Sequence, residues 1–315
     1  MNRREALKSI GALGTSLGSA ALLGGGAALL GAQDAVERLG GPKTGAAKMA
    51  RSTPLVCAYS KNLAKVPYAE LGTIAGQIGY DGIDLTVMDG GHVNPHITNV
   101  DLVRAIESVR GANLEVPMIS TTLTTVNNDT AFPILAITGH TDVHLYRMGF
   151  WPWGTVNPQQ RLAEVRNDLM SLMLAGQRYE MIALLPNHAG GFVGGSVWDA
   201  QMLIGNMDPA WIGYYFDPSQ TQEWEPALRM ALPRVKAVAV QDFYWEKSGG
   251  VWARKMCPMG EGSIDWGLFF RILSQARYTG PLSIHFEYAA QDELGALTKD
   301  LEFVRKQVQS NWAAS

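Results

Sequence analysis

The sequence predicts an α/β fold of one domain, a closed (β/α)8 barrel. Three observations carry that expectation. Short apolar runs alternate with helical stretches eight times between residues 55 and 309. Apolar strands separated by helices imply a parallel sheet covered on both faces. Eight such units in about 260 residues suit a closed barrel better than an open doubly wound sheet. No GxGxxG follows the first strand, so a dinucleotide site is disfavoured and no nucleotide cofactor is expected.

The elements follow in order. A short apolar run at 55–60 reads as the first strand, with a helix at 68–78 behind it. GIDLTV at 82–87 is the second strand, followed by a helix at 100–111. A strand at 115–119, a helix at 130–139 and a strand at 143–147 come next. The longest expected helix covers 158–175. Strands at 181–185, 212–217 and 235–241 then alternate with helices at 197–204 and 224–232.

The last unit carries the strongest signals. Gly260-Glu261-Gly262 is a loop, and Ser263 is placed to N-cap a helix. Trp266, Phe269, Phe270, Ile272 and Leu273 recur at near-helical spacing. Gly280-Pro281 breaks that helix. Leu282, Ile284 and Phe286 then alternate with Ser283, His285 and Glu287, the period of a strand. A helix at 294–309 closes the chain.

Residues 1–32 read as a targeting segment. Asn2-Arg3-Arg4-Glu5-Ala6-Leu7-Lys8 is a twin-arginine pattern, with Ala6 where Phe is usual. A weakly hydrophobic run of Ala, Gly and Leu follows it. Together they imply a Tat signal, the Tat translocase as partner during export, and a periplasmic or otherwise exported protein. A membrane anchor is the alternative, but Gly24-Gly25-Gly26 makes a poor membrane helix. Residues 33–53 are expected to be a linker and 54–315 the barrel. Cys57 and Cys257 are expected as two thiols, although the periplasm permits a disulfide.

Composition narrows the function. Hydrophobic content of 47% against 17% charge is a globular balance. A formal charge of -3, with no basic run beyond the N-terminus, disfavours binding to nucleic acid.

In such a barrel the reactive groups sit at the C-terminal strand ends and the loops after them. Those positions carry Lys61, Asp84, His92, Arg147, Trp153 and His188 over the first five units. Asp217, Asp242, Trp245, His285 and Glu287 follow over the last three. Each has a plainer alternative. Asp217 can cap a turn, and His285 can be a satisfied core histidine. Arg147 can pair with a strand-end carboxylate such as Asp84. The Gly260 loop can be a tight helix entry. The tryptophans can be core, or can stack on a sugar ring, which presents an apolar face among hydroxyls.

The motif G-E-G-x-I-D-W … G-P-L-S-I-x-F-E-Y resembles the last quarter of the sugar phosphate isomerase/epimerase proteins, the xylose isomerase-like TIM barrels. G-Y-D-G-I-D-L-T-V, A-L-L-P-N-H-A-G-G, F-D-P-S-Q and V-A-V-Q-D-F are similar to further motifs of that family. The resemblance implies one divalent metal (Mn, Mg, Co or Zn) held by Glu, Asp, His and Glu on strands five to eight. Those positions are Pro186, Asp217, Ala239 and His285 here, so only Asp217 is retained. Pro and Ala cannot ligate. A metal, if bound, is expected on Asp217 and His285, with His188 or Glu287 as substitutes. The chain also resembles an exported branch tied to glycoside breakdown, through Gly90 to Val93, Trp198-Asp199, Asp242 to Trp245, Gly260 to Gly262 and His285 to Tyr288.

Two functions stay open. One is an enzyme that removes a proton next to the carbonyl of a non-phosphorylated sugar or oxidised glycoside, as an isomerase, epimerase or lyase. Its base is Glu287, His188 or His285. Lys61, Arg147 or a metal holds the oxyanion. His92, Trp153, Asp242 and Trp245 add contacts to a small carbohydrate. The other is a non-catalytic sugar-binding protein that has lost the family metal site. Homo-oligomers are left open by both. Replacing Arg3 and Arg4 by Lys is expected to hold the protein in the cytoplasm. Fractionation of expressing cells checks this, and unchanged periplasmic delivery argues against the Tat signal.

Overall fold

The computed structural model describes residues 52–312. The expected signal at 1–32 and the linker up to residue 51 lie outside the described residues. Eight strands form a closed, all-parallel barrel. They are β1 (Val56–Tyr59), β2 (Gly82–Val87), β3 (Glu115–Thr121) and β4 (Leu145–Arg147), then β5 (Ile182–Pro186), β6 (Ile212–Phe216), β7 (Val235–Val240) and β8 (Leu282–Ile284). Closure falls at β1, where Ala58 is in register with Ile83 of β2 on one side and Ile284 of β8 on the other.

A helix lies between each strand and the next, and a last one closes the chain. These are α1 (Tyr68–Ile78), α2 (Thr98–Gly111), α3 (Ala131–Gly139) and α4 (Pro158–Arg178), then α5 (Val197–Ile204), α6 (Trp224–Ala231), α7 (Trp266–Gln275) and α8 (Glu293–Trp312). Local chemistry sets their starts. Asn157 accepts from the N–H groups of Gln159 and Gln160, with Pro158 in the first turn of α4. Ser196 caps α5. Asp265, not the expected Ser263, caps α7 by accepting from Leu268 N. The N–H of Ser263 instead donates to Phe243 O at 2.7 Å.

Alternation along the strands divides the interior in two. One set of residues packs outward under the helices, including Ile83, Leu85, Phe216, Val238, Val240 and Ile284. A small apolar cluster fills the lumen: Met118, Leu184, Tyr215, Ala237 and Ala239. Two register shifts interrupt the ladders, at Gly82/Asp84 and at Tyr214/Tyr215. Such irregularities re-aim side chains, and both lie beside residues that meet in the lumen. Cys57 and Cys257 are both buried thiols.

Two features depart from expectation. β8 stops at Ile284, because the side chain of Asn62 takes over its edge. Asn62 Nδ2 donates to Ile284 O at 2.7 Å, and Phe286 N donates to Asn62 Oδ1 at 3.1 Å. His285 and Glu287 thus lie just beyond the strand. The chain after β7 also does not remain a loop. Asp242–Ser248 pairs antiparallel with Val251–Cys257 as a two-stranded ribbon. Its turn is Gly249-Gly250, both at positive φ (58 and 85°), which the mirror-image hairpin turn requires. A second small ribbon pairs Trp151–Pro152 with Phe192–Val193, tying the loops after β4 and β5 together.

Asp300 of α8 holds two loops at the barrel mouth. It is buried, accepts from Met259 N at 2.9 Å, and accepts from the Tyr288 hydroxyl at 2.9 Å. Burial pushes its carboxyl up to about 6, against the pull of those two donors. An unfolded Asp loses its proton near pH ~3.9, so this group's contribution to stability falls as pH rises from about 4 to about 6. Asp300→Asn mimics the protonated form and is expected to gain about 1–3 kcal/mol relative to the parent between pH 4 and 7. Urea unfolding at the two pH values checks this; a constant difference would mean that the carboxyl is not shifted.

Candidate functional site

The lumen is built around one carboxylate. Asp84 of β2 is fully buried. Ser120 of β3 donates to Oδ1 and Ser283 of β8 to Oδ2, each at 2.8 Å. Arg147 of β4 is buried as well and donates from Nε to Ser120 Oγ at 3.1 Å. The expected pairing of Arg147 with Asp84 therefore runs through a serine. Burial pushes the Asp84 carboxyl up, and the charges of His285 and Arg147 pull it back, helped by the two serines. The Arg147 guanidinium lies 5.2 Å from the Phe150 ring centroid and 5.8 Å from that of Tyr215. Its terminal nitrogens have no protein partner among the described residues, so they are free to bind an oxygen in the lumen.

A second chain of contacts runs from Asp84 to the mouth. The Tyr215 hydroxyl lies 3.4 Å from Asp84 Oδ2 and 2.6 Å from His285 Nε2. The His285 ring stacks on Tyr59 with centroids 4.0 Å apart and planes parallel. Nδ1 faces Glu287 Oε1 at 3.9 Å. His285, 3.9 Å away, holds the Glu287 carboxyl below its usual range, against burial, with further pull from the His188 and Arg254 charges. Glu287 is thus an ionised, half-exposed carboxylate backed by a buried imidazole. His285 and Glu287, each expected at the active face, come within 3.9 Å although both lie beyond the strand.

His188, after β5, borders the same opening. Its ring packs 4.4 Å from Phe150 and edge-on to Phe192, with Nδ1 2.6 Å from Ala189 O. Trp153 is half-buried nearby, and its main-chain N–H donates to Gly191 O at 3.0 Å.

The metal positions were tested on the donors present. Pro186 and Ala239 offer none. Asp217 is buried, accepts from Ser219 N at 2.8 Å on Oδ1, and accepts from Gln241 Nε2 on Oδ2. Its main chain is clamped by Asn187, which donates to Asp217 O and accepts from Asp217 N, both at 2.8 Å. His285 Nε2 is engaged by Tyr215. Among the described residues no group of three or more His, Cys, Asp or Glu is arranged to hold a metal ion. The donor set does not fit the four-ligand cation that the family resemblance implies.

Four expected contacts lie elsewhere. His92 Nε2 bonds the carbonyls of Leu63 and Val66 at 3.2 and 3.0 Å, so its ring braces the loop after β1. Burial lowers its pKa, against those two bonds. Asp242 holds the Gly260 loop: its Oδ2 accepts from Gly260 N and Gly262 N at 3.1 Å and from Trp266 Nε1 at 2.8 Å. Lys61 is exposed after β1 with no partner among the described residues. Trp245 is 49% exposed on the ribbon. Sequence reasoning missed Tyr59, Ser120, Tyr215 and Ser283. Alternation would have found Tyr215, because it stands two residues before Asp217 and shares its face. A separate cavity of about 640 Å³ opens near Leu55, Glu115 and His144, at the N-terminal strand ends. Reactive groups of such barrels lie at the other end.

The sequence profile of the xylose isomerase-like TIM barrel family matches residues 73–307. The chain belongs to that family. Solved structures of similar fold include a xylose isomerase-like TIM barrel protein from Mycobacterium smegmatis in complex with magnesium. It is 13% identical, with a TM-score of 0.64 over 82% of this chain and 97% of that one. The 3-keto-D-glucoside 4-epimerase from E. coli, in its apo form, is 15% identical, with a TM-score of 0.62 over 80% and 99%. The D-allulose 3-epimerase from Methylomonas sp., in complex with D-allulose, is 12% identical, with a TM-score of 0.63 over 81% and 97%. No curated protein matches the sequence.

Within this family member the lumen network is a structural requirement. Asp84→Ala leaves Ser120 and Ser283 without an acceptor and Arg147 buried without its counter-charge. The expected cost is about 3–5 kcal/mol. Guanidinium unfolding measures it, and a loss under about 1 kcal/mol would overturn this account.

Proposed function

We propose that this protein is a carbohydrate isomerase- or epimerase-like enzyme that acts by removing a proton next to a carbonyl. The observation that carries the reading is the pair at the mouth: an ionised Glu287 braced by His285, with the unpartnered donors of Arg147 in the same lumen. Tyr59 joins the two sides, since the charges of Arg147, Asp84 and Glu287 all act on its hydroxyl. In the proposed step a Glu287 oxygen takes the proton from the carbon beside the carbonyl. The C–H bonding pair forms the carbon–carbon double bond, the carbonyl π pair moves onto the oxygen, and the Arg147 N–H groups stabilise the resulting enediolate. Return of the proton to the other face of the same carbon is epimerisation. Return to the neighbouring carbon, with the hydroxyl proton passing from one enediolate oxygen to the other, is isomerisation, and loss of a β-substituent with its bonding pair is elimination. His188, whose charge reaches Glu287, is the group proposed to return the proton. The two epimerases of similar fold act on keto sugars by their names, which supports this class of substrate.

The reading includes export on Arg3 and Arg4, and therefore a non-phosphorylated sugar or oxidised glycoside, because exported proteins seldom meet sugar phosphates. A second reading, a sugar-binding protein without turnover, is favoured by Pro186 and Ala239 at two positions where the resemblance expects ligands. Hydrogen–deuterium exchange separates the two. D-allulose and methyl 3-keto-β-D-glucoside are incubated with the protein in deuterated water and followed by NMR. The enzyme reading expects loss of the proton beside the carbonyl, and a drop of about 100-fold or more in Glu287→Gln with sugar affinity within a few-fold. Binding without exchange in the parent protein would leave the binding-protein reading.

A further inference from the structure

We propose that the ribbon after β7 is a second carbohydrate subsite, which takes the ring attached to the sugar held in the lumen. The substrate is then a glycoside of at least two rings. This rests on the sugar reading above and adds to it. Opposite residues of an antiparallel pair share a face. Trp245 is opposite Arg254, and Lys247 is opposite Trp252. These four and Phe243 therefore line one side of the ribbon.

The root of that side touches the candidate site. Arg254 Nη1 donates to Ser219 O at 2.6 Å, in the loop after β6. Its guanidinium lies 5.7 Å from the Phe243 ring, and its charge reaches Glu287. From there the aromatic surface continues outward. Phe243 packs edge-on to Trp245 at 6.2 Å. The next row, about 7 Å further along the strands, carries Trp252 with Lys247 5.9 Å from its ring. Trp245 is 49% exposed and Trp252 60% exposed. Large rings left open beside a polar pocket, with cations between them, suit a sugar chain. Each ring face takes the apolar side of a pyranose or an aromatic aglycone, and the cations bond its hydroxyls. The other side of the ribbon carries Glu246 and Lys255, paired at 3.8 Å.

Calorimetric titration with methyl β-D-glucoside, cellobiose and 4-nitrophenyl β-D-glucoside tests the proposal. The parent protein is expected to prefer the two-ring ligands by about 10-fold. Trp252→Ala should erase that preference and leave the one-ring affinity within about 2-fold, while Trp252→Phe retains most of it. Equal affinities in the parent protein overturn the subsite. So does equal weakening of one-ring and two-ring ligands by Trp252→Ala. A change from dimer to monomer in sedimentation, with the preference intact, overturns it in favour of a self-association face. Failure of the lumen chemistry reads out separately: unchanged exchange in Glu287→Gln alongside a preserved two-ring preference sinks the base and supports the subsite.

Discussion

A carboxylate sealed inside a barrel must be satisfied by its neighbours, and Asp84 is satisfied by groups from four other strands. Ser120 comes from β3, Tyr215 from β6 and Ser283 from β8, with Arg147 of β4 linked through Ser120. Each partner is in place only if its strand has the right register. A slip of one residue on any of these strands would turn the polar group outward, under the helices. The apolar part of the core does not discriminate in this way, since many aliphatic arrangements fill the same space. The polar network therefore fixes the registers, and the same network orients His285 through Tyr215.

Around that centre, the polar groups at the strand ends serve two purposes that look alike in sequence. Asn62, Asn187, Asp242 and Asp300 each hold main-chain groups of a loop, and none presents a free donor or acceptor set to the lumen. They stiffen the rim. Glu287, His188 and the outer nitrogens of Arg147 differ because part of each remains without a protein partner. A reactive group must keep an atom open to the lumen, whereas a bracing group spends its contacts on the main chain of a loop. That distinction concerns atoms and not residue types, which is why the sequence could not draw it at Asp242 or His92.

The eight strand–helix units were legible because period and breakers operate locally: GIDLTV, Gly280-Pro281 and the apolar spacing of α7 all gave elements within a few residues of those observed. Alternation put His285 and Glu287 on one face of the expected strand, but the strand ends at Ile284, before both of them. The ribbon after β7 was not read, although Gly249-Gly250 between alternating residues is a hairpin signal. The end of β8 could not be read at all, because it depends on Asn62, 222 residues away from Ile284. Tyr215 and the two serines were overlooked because attention went to the strand ends, whereas the chain of contacts starts one layer deeper. Asp217 was placed correctly at the end of β6, but sequence alone did not show that Ser219 and Gln241 fill its oxygens.

The closure at β1 has a consequence for how the chain comes together. β1 is among the first elements described, and β8 is the last strand made. Until the segment around Ile284 has been synthesised, β1 and β7 each present an open edge of unpaired amide groups. The ring of hydrogen bonds, and the Asp84 network that needs Ser283, can form only after nearly the whole sequence is available. Local units can fold early, but the step that joins the ends is remote in sequence and correspondingly slow. During that interval the two edges are where a half-built barrel would pair with another chain, so assembly in the cell is a race between closing on itself and joining a neighbour.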